Sequence, residues 1–110
     1  MIGGPTVCNS KPVHKAFNIH ICIELTDTNA YDTLTDSVLD KIVATIVDCD
    51  VVISALGHAS TVLGKRLYKL GVKTQFIDIG SVVDAISGVK TRGWIKKNNE
   101  YVEIKRKEFL

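Results

Sequence analysis

The segment from Asp50 to Trp94 constrains this chain most. An apolar run, Val51-Val52-Ile53-Ser54-Ala55-Leu56, stops at Gly57, and a helix pattern opens within three residues. Leu63, Leu67 and Leu70 recur on one face of a helix over 59–70, with Ser60 as a candidate cap and Gly71 at the C′ position. A further strand pattern follows at 72–79, apolar toward its end, then a short helical turn at 82–87. Strand, tight turn, helix and strand in that order favour a parallel sheet with right-handed crossovers, an α/β fold. In such a sheet ligands bind beyond the carboxyl ends of the strands, and a helix that opens there presents N–H groups to an anion.

The flanking segments carry weaker patterns. Residues 1–16, with Gly3-Gly4-Pro5 and Pro12, read as an irregular arm. Phe17 to Ile23 alternates large apolar with smaller or polar residues, the period of a strand. Leu34, Val38, Leu39, Ile42 and Ile46 then mark a helix, with Asp32 or Thr33 as its N-cap. Tyr101 to Ile104 reads as a last strand, or as part of a hairpin with Trp94-Ile95. The expected sheet has three parallel strands, small enough to be half of a larger fold or to form a homodimer.

One domain accommodates all 110 residues, with residues 95–110 as a basic C-terminal segment. Apolar residues make up 45% and charged residues 24%, ordinary for a globular protein. No apolar run approaches the roughly 20 residues that span a bilayer. The N-terminus lacks the apolar core of a signal peptide, so the expected compartment is the cytoplasm. Cys8, Cys22 and Cys49 form no CxxC pair, and reduced structural thiols are the expectation. Residues 90–110 hold seven Lys/Arg against three Glu. The acids are interleaved and aromatics are few, which favours a solvated segment over a nucleic-acid-binding one.

Three groups could carry chemistry. In the turn Gly57-His58-Ala59-Ser60-Thr61, Gly57 and Ala59 let a ligand approach the backbone, while Ser60 and Thr61 add hydroxyls to the N–H groups of the helix start. His58 could donate to a phosphate or transfer a proton; the bland alternative is a tight turn whose serine caps its own helix. Asp78 ends an apolar strand and Asp84 follows Gly80-Ser81. The two could hold a divalent cation, Mn or Mg, on a diphosphate. Alternatively, Asp78 caps the next turn and Asp84 pairs with Lys90 or Arg92. In the third group, Lys90-Thr91-Arg92, two cations flank a hydroxyl and suit a phosphate clamp.

Residues 29–63, from Asn29-Ala30-Tyr31 through a helix to Ser54-Ala55-Leu56-Gly57-His58-Ala59-Ser60-Thr61-Val62-Leu63, resemble the C-terminal part of GT-D-type glycosyltransferase domains. The run Asp78-Ile79-Gly80-Ser81-Val82-Val83-Asp84, followed by Lys90-Thr91-Arg92-Gly93-Trp94, is similar to a variant of that family. The resemblance covers about residues 19–95. It implies a small three-layer Rossmann-like domain that binds a nucleotide sugar, usually a UDP-sugar, and transfers the sugar to an acceptor hydroxyl on a glycan or other molecule. It would give Gly57 to Thr61 the diphosphate, and Asp78 and Asp84, with Gly80 and Ser81 between them, the sugar or a metal. Lys90, Thr91 and Arg92 would take the diphosphate or the acceptor. Asp84 and Arg92 are the expected catalytic pair, as proton acceptor and leaving-group stabiliser. Better-known members carry Asp-x-Glu where this chain has Asp84-Ala85-Ile86. The competing reading is therefore a non-catalytic Rossmann-like module that binds a nucleotide or a protein.

Overall fold

A computed structural model describes residues 1–26, 29–90 and 92–110. Four parallel strands form its single sheet: β1 (Ile2–Gly3), β2 (Ile23–Glu24), β3 (Val51–Ala55) and β4 (Gln75–Asp78), in the spatial order β2-β1-β3-β4. Ile2 stands opposite both Ile23 and Ser54, and Val52 opposite Phe76. The α/β class, the parallel sheet and the layered Rossmann-like architecture agree with the sequence expectation, with four strands in place of three.

The extra strand comes from the N-terminal segment, which is not an irregular arm. Ile2 is fully buried at the centre of the sheet. Two short helices follow, α1 (Pro5–Cys8) and α2 (Lys11–Phe17), each with proline in its first turn, where the missing N–H costs nothing. A Cβ at Gly3 would lie 3.2 Å from Val7 Cγ1, so glycine lets α1 fold back onto β1.

The expected strand over 17–23 is also corrected. Phe17 is the last residue of α2, and Asn18 closes that helix in the left-handed conformation, φ 50°. Only the tail of the alternating run pairs, because β1 offers few ladder partners: Ile23 N–H donates to Met1 O at 2.8 Å and Leu25 N–H to Gly3 O at 2.8 Å. Ile21 stays half exposed.

Helices cover both faces. On one side α3 (Asp36–Ile46) and α4 (His58–Lys69) bring Leu39, Ile42, Ile46, Leu63 and Leu67 onto Ile2 and Val52. Burying a side chain such as Ile42 or Leu63 contributes about 1.5–3 kcal/mol relative to leaving it exposed. On the other side α1, α2 and α5 (Val82–Ser87) pack Val7, Val13 and Val83 against Ala55 and Ile79. The chain crosses from β1 out to β2 by one face and returns to β3 by the other, as right-handed crossovers require when the direction reverses. Thr35, not Asp32 or Thr33, caps α3, accepting from Val38 N–H at 3.4 Å. The Thr33 hydroxyl instead donates to Ala30 O at 2.6 Å, within a 3-10 turn over Ala30–Thr33.

The C-terminal segment is helical, not a strand or hairpin. α6 (Gly93–Lys97) and α7 (Asn99–Arg106) place Ile95 and Val102, seven residues apart, against Ala85 of α5. Glu100 in the first turn of α7 and Lys105 and Arg106 in its last complement the helix dipole. The segment is basic and partly solvated, yet anchored by that apolar seam.

The thiols also depart from expectation. Cys8 and Cys22 are joined in a disulfide, Cα atoms 5.7 Å apart, and Cys49 is free. The helical arm delivers Cys8 to the start of β2, which spacing alone does not reveal. No helix among the described residues is long and apolar enough to cross a membrane.

Candidate functional site

The strand order reverses between β1 and β3, and in an open parallel sheet the carboxyl ends of two such strands leave a crevice. A cleft of about 420 Å³ lies there. All four strands feed it: Gly4 and Thr6 from beyond β1, Thr26 and Asn29 from beyond β2, Leu56 and Gly57 from beyond β3, Gly80 and Ser81 from beyond β4. Asp84 of α5 and Arg92 complete the wall.

Much of the cleft is backbone. Gly57 has φ 59° and ψ −137°, a conformation essentially confined to glycine, and a Cβ there would meet nothing within 4 Å. The residue turns the chain from β3 into α4 without a side chain at the mouth. Gly80, φ 55°, does the same after β4. Asp78 holds that turn, its Oδ1 accepting from Gly80 N–H at 3.0 Å. Ser81 Oγ accepts from the indole N–H of Trp94 at 2.8 Å, which pins the half-exposed Trp94 ring beside the cleft.

Of the residues singled out from sequence, Gly57, Gly80, Ser81, Asp84 and Arg92 converge on this cleft. Others do not line it. Ala59 and Ser60 are buried: their amides are occupied by Leu56 O at 3.3 Å and Gly57 O at 3.0 Å, which leaves fewer donors for an anion than the bare helix start suggested. Ser60 does not cap by accepting from the helix. Its Oγ accepts from Leu56 N–H at 3.0 Å and shares a 2.7 Å hydrogen bond with the equally buried Ser54 Oγ. Ser60 thus locks the β3–α4 turn from beneath. His58 and Thr61 are exposed on α4 outside the cleft. Asp78 is exposed and supports the Gly80 turn. Lys90 pairs with Glu103 of α7 at 3.8 Å. Thr91 lies outside the described residues.

Asp84 Oδ2 lies 3.8 Å from Arg92 Nε, the pairing offered as the alternative to a joint cation site. No group of three or more His, Cys, Asp or Glu suited to a metal ion occurs among the described residues. With Asp78 committed to a turn and Asp84 to an arginine, these donors do not fit a protein-held cation, which needs several oxygens in its shell. Among the described residues, the cleft offers a ligand backbone, hydroxyls, one guanidinium and one carboxylate.

Sequence reading missed the β1 side of the cleft, Gly4 and Thr6. The available clue was Ile2-Gly3-Gly4-Pro5, an apolar residue running into a glycine turn and a proline-initiated helix. Asn29, a polar residue with no evident role in the sequence, takes the left-handed conformation at φ 52° and borders the cleft. No family model, curated protein or solved structure matches the chain.

Proposed function

We propose that this cleft binds a nucleotide-diphosphate sugar, a UDP-sugar first, and that the chain is a glycosyltransferase-like domain passing the sugar to an acceptor hydroxyl. The observation that carries the reading is the cleft's position at the strand-order reversal, walled by two glycine turns and by Arg92. Backbone amides and a guanidinium suit a diphosphate, because both donate to its oxygens and neither needs to be deprotonated. Arg92 would stabilise the departing diphosphate and Asp84 would accept the acceptor's proton. A second reading, a binding module without turnover, is favoured by one feature: Asp84 is the sole acid lining the cleft among the described residues, and it is ion-paired.

Trp94 is the chain's one tryptophan and reports on the cleft through its bond to Ser81. Titrating UDP-, GDP- and CDP-sugars while following its fluorescence tests the donor site. Saturable change with a UDP-sugar, weakened about tenfold or more in Arg92→Ala, is the expected result, since a hydrogen bond to a charged group contributes about 1.5–3 kcal/mol. No response to any nucleotide, by fluorescence or by thermal shift, would sink the reading. Slow hydrolysis of the bound donor separates an enzyme from a binder.

A further inference from the structure

We infer that the Cys8–Cys22 disulfide is a redox clasp that sets the order of one wall of the cleft, and through it the cleft's affinity; the affinity half of this inference rests on the reading of the cleft as a nucleotide site. α1 supplies that wall with Thr6 and Val7, just after Gly4. At four residues, α1 is far too short to be stable by itself. Its internal support is one turn of backbone bonds, from Val7 and Cys8 N–H to Gly4 O and from Asn9 N–H to Pro5 O. Contacts with other elements also fasten it from outside. Val7 is buried against Val13 and Val83, His14 Nε2 bonds Cys8 O at 2.6 Å, and the disulfide ties Cys8 to the residue before β2. The disulfide is the one covalent fastening. It anchors the turn to the strand on the far side of β1 and closes a loop of 14 residues in sequence separation.

Neither cysteine is fully buried, which leaves the bond within reach of a small dithiol. Reduction transfers two electrons and two protons from the dithiol, breaks the S–S bond and leaves two thiols and a cyclic disulfide of the reductant. α1 then keeps only non-covalent support, and its wall opens by local unfolding while the rest of the sheet persists. A ligand that needs the ordered wall must now bear the cost of ordering it, so it binds more weakly.

Hydrogen exchange of the whole chain, oxidised and after treatment with dithiothreitol, tests the clasp without any ligand. The expected result is exchange faster by about tenfold or more at the amides of Val7, Cys8 and Asn9, with the amides of β3 and α4 unchanged. Cys8→Ser and Cys22→Ser should match the reduced protein and lose sensitivity to dithiothreitol, whereas Cys49→Ser should keep it. In parallel, UDP affinity read by Trp94 fluorescence should fall about threefold or more on reduction. Equal exchange at the three amides in both redox states overturns the clasp, and so does faster exchange with unchanged UDP affinity. If the oxidised protein binds no UDP at all, the donor reading fails, and the exchange data still decide the clasp.

Discussion

Ser60→Ala is the substitution whose cost follows most directly from the geometry of this fold. Ser60 is fully buried, and its Oγ serves two partners, Leu56 N–H at 3.0 Å and Ser54 Oγ at 2.7 Å. Removing it strands a backbone donor and a buried hydroxyl together. Each such group costs about 1–3 kcal/mol when left without a partner, which puts the substitution at about 2–6 kcal/mol. That is a large part of the ~5–15 kcal/mol by which a domain of this kind is stable. Ser54→Ala is cheaper, at about 1 kcal/mol, since Ser60 keeps its bond to Leu56. In the double variant only Leu56 N–H is left without its bond, so the two substitutions together should cost no more than Ser60→Ala alone. Urea unfolding of the four proteins, with the slope held constant, measures this cycle. Ser60→Ala within about 0.5 kcal/mol of the parent, or two substitutions that simply add, would refute the two-partner account.

Two further substitutions probe the turns and supports around the cleft. Gly57→Ala adds a methyl that meets no atom, so its whole cost is backbone strain, about 1–3 kcal/mol on urea unfolding; an unchanged stability would show that the turn relaxes freely. Arg106 of α7 donates to Ile86 O and Ser87 O at 3.2 Å each, closing the C-terminal end of α5. Arg106→Met should lower thermal stability by about 1–2 kcal/mol and Arg106→Lys by less, because a single ammonium can keep one of those carbonyls. Equal losses in both variants would point to packing rather than hydrogen bonding.

The parts of the fold legible in sequence are those with a long enough period. Five apolar residues before Gly57 announce β3, leucines at helical spacing announce α4, and both survive with their ends moved by a residue or so. β1 has two residues and so shows no alternation, although it sits at the centre of the sheet. Residues 17–23 alternate well and still form no strand along most of their length, because β1 is too short to pair with them. Tyr101 to Ile104 alternates over four residues by coincidence; in α7 it is Val102 that turns inward, to meet Ile95 of α6 and Ala85 of α5. Of the residues singled out from sequence, Gly57, Gly80, Ser81, Asp84 and Arg92 line the cleft, and all follow the carboxyl end of β3 or β4 in the chain. Ser60, expected to cap its helix or to face an anion, does neither because its partner, Ser54, lies on the strand beneath it, and a side chain's direction is not local information.

The Asp84–Arg92 pair decides whether the cleft needs a metal, and the answer can be worked out from charge alone. A diphosphate entering a site that needs a bridging cation requires carboxylates free to hold that cation. Among the described residues the one acid lining this cleft, Asp84, lies 3.8 Å from Arg92, so the phosphate must draw the same guanidinium away from it. Asp84 then acts against the ligand twice, by repelling it and by competing for its cation. Asp84→Asn removes both effects. The pair is partly solvated, with Arg92 58% and Asp84 25% exposed, so the gain is that of a surface ion pair, about 0.5–1 kcal/mol or a few-fold in affinity. UDP should therefore bind Asp84→Asn more tightly than the parent at low salt, the difference should shrink as salt screens the charges, and neither protein should respond to EDTA or added magnesium. A protein that binds UDP only with a divalent cation, and loses that response in Asp84→Asn, would instead make Asp84 a metal ligand and its pairing with Arg92 a resting state of the empty cleft.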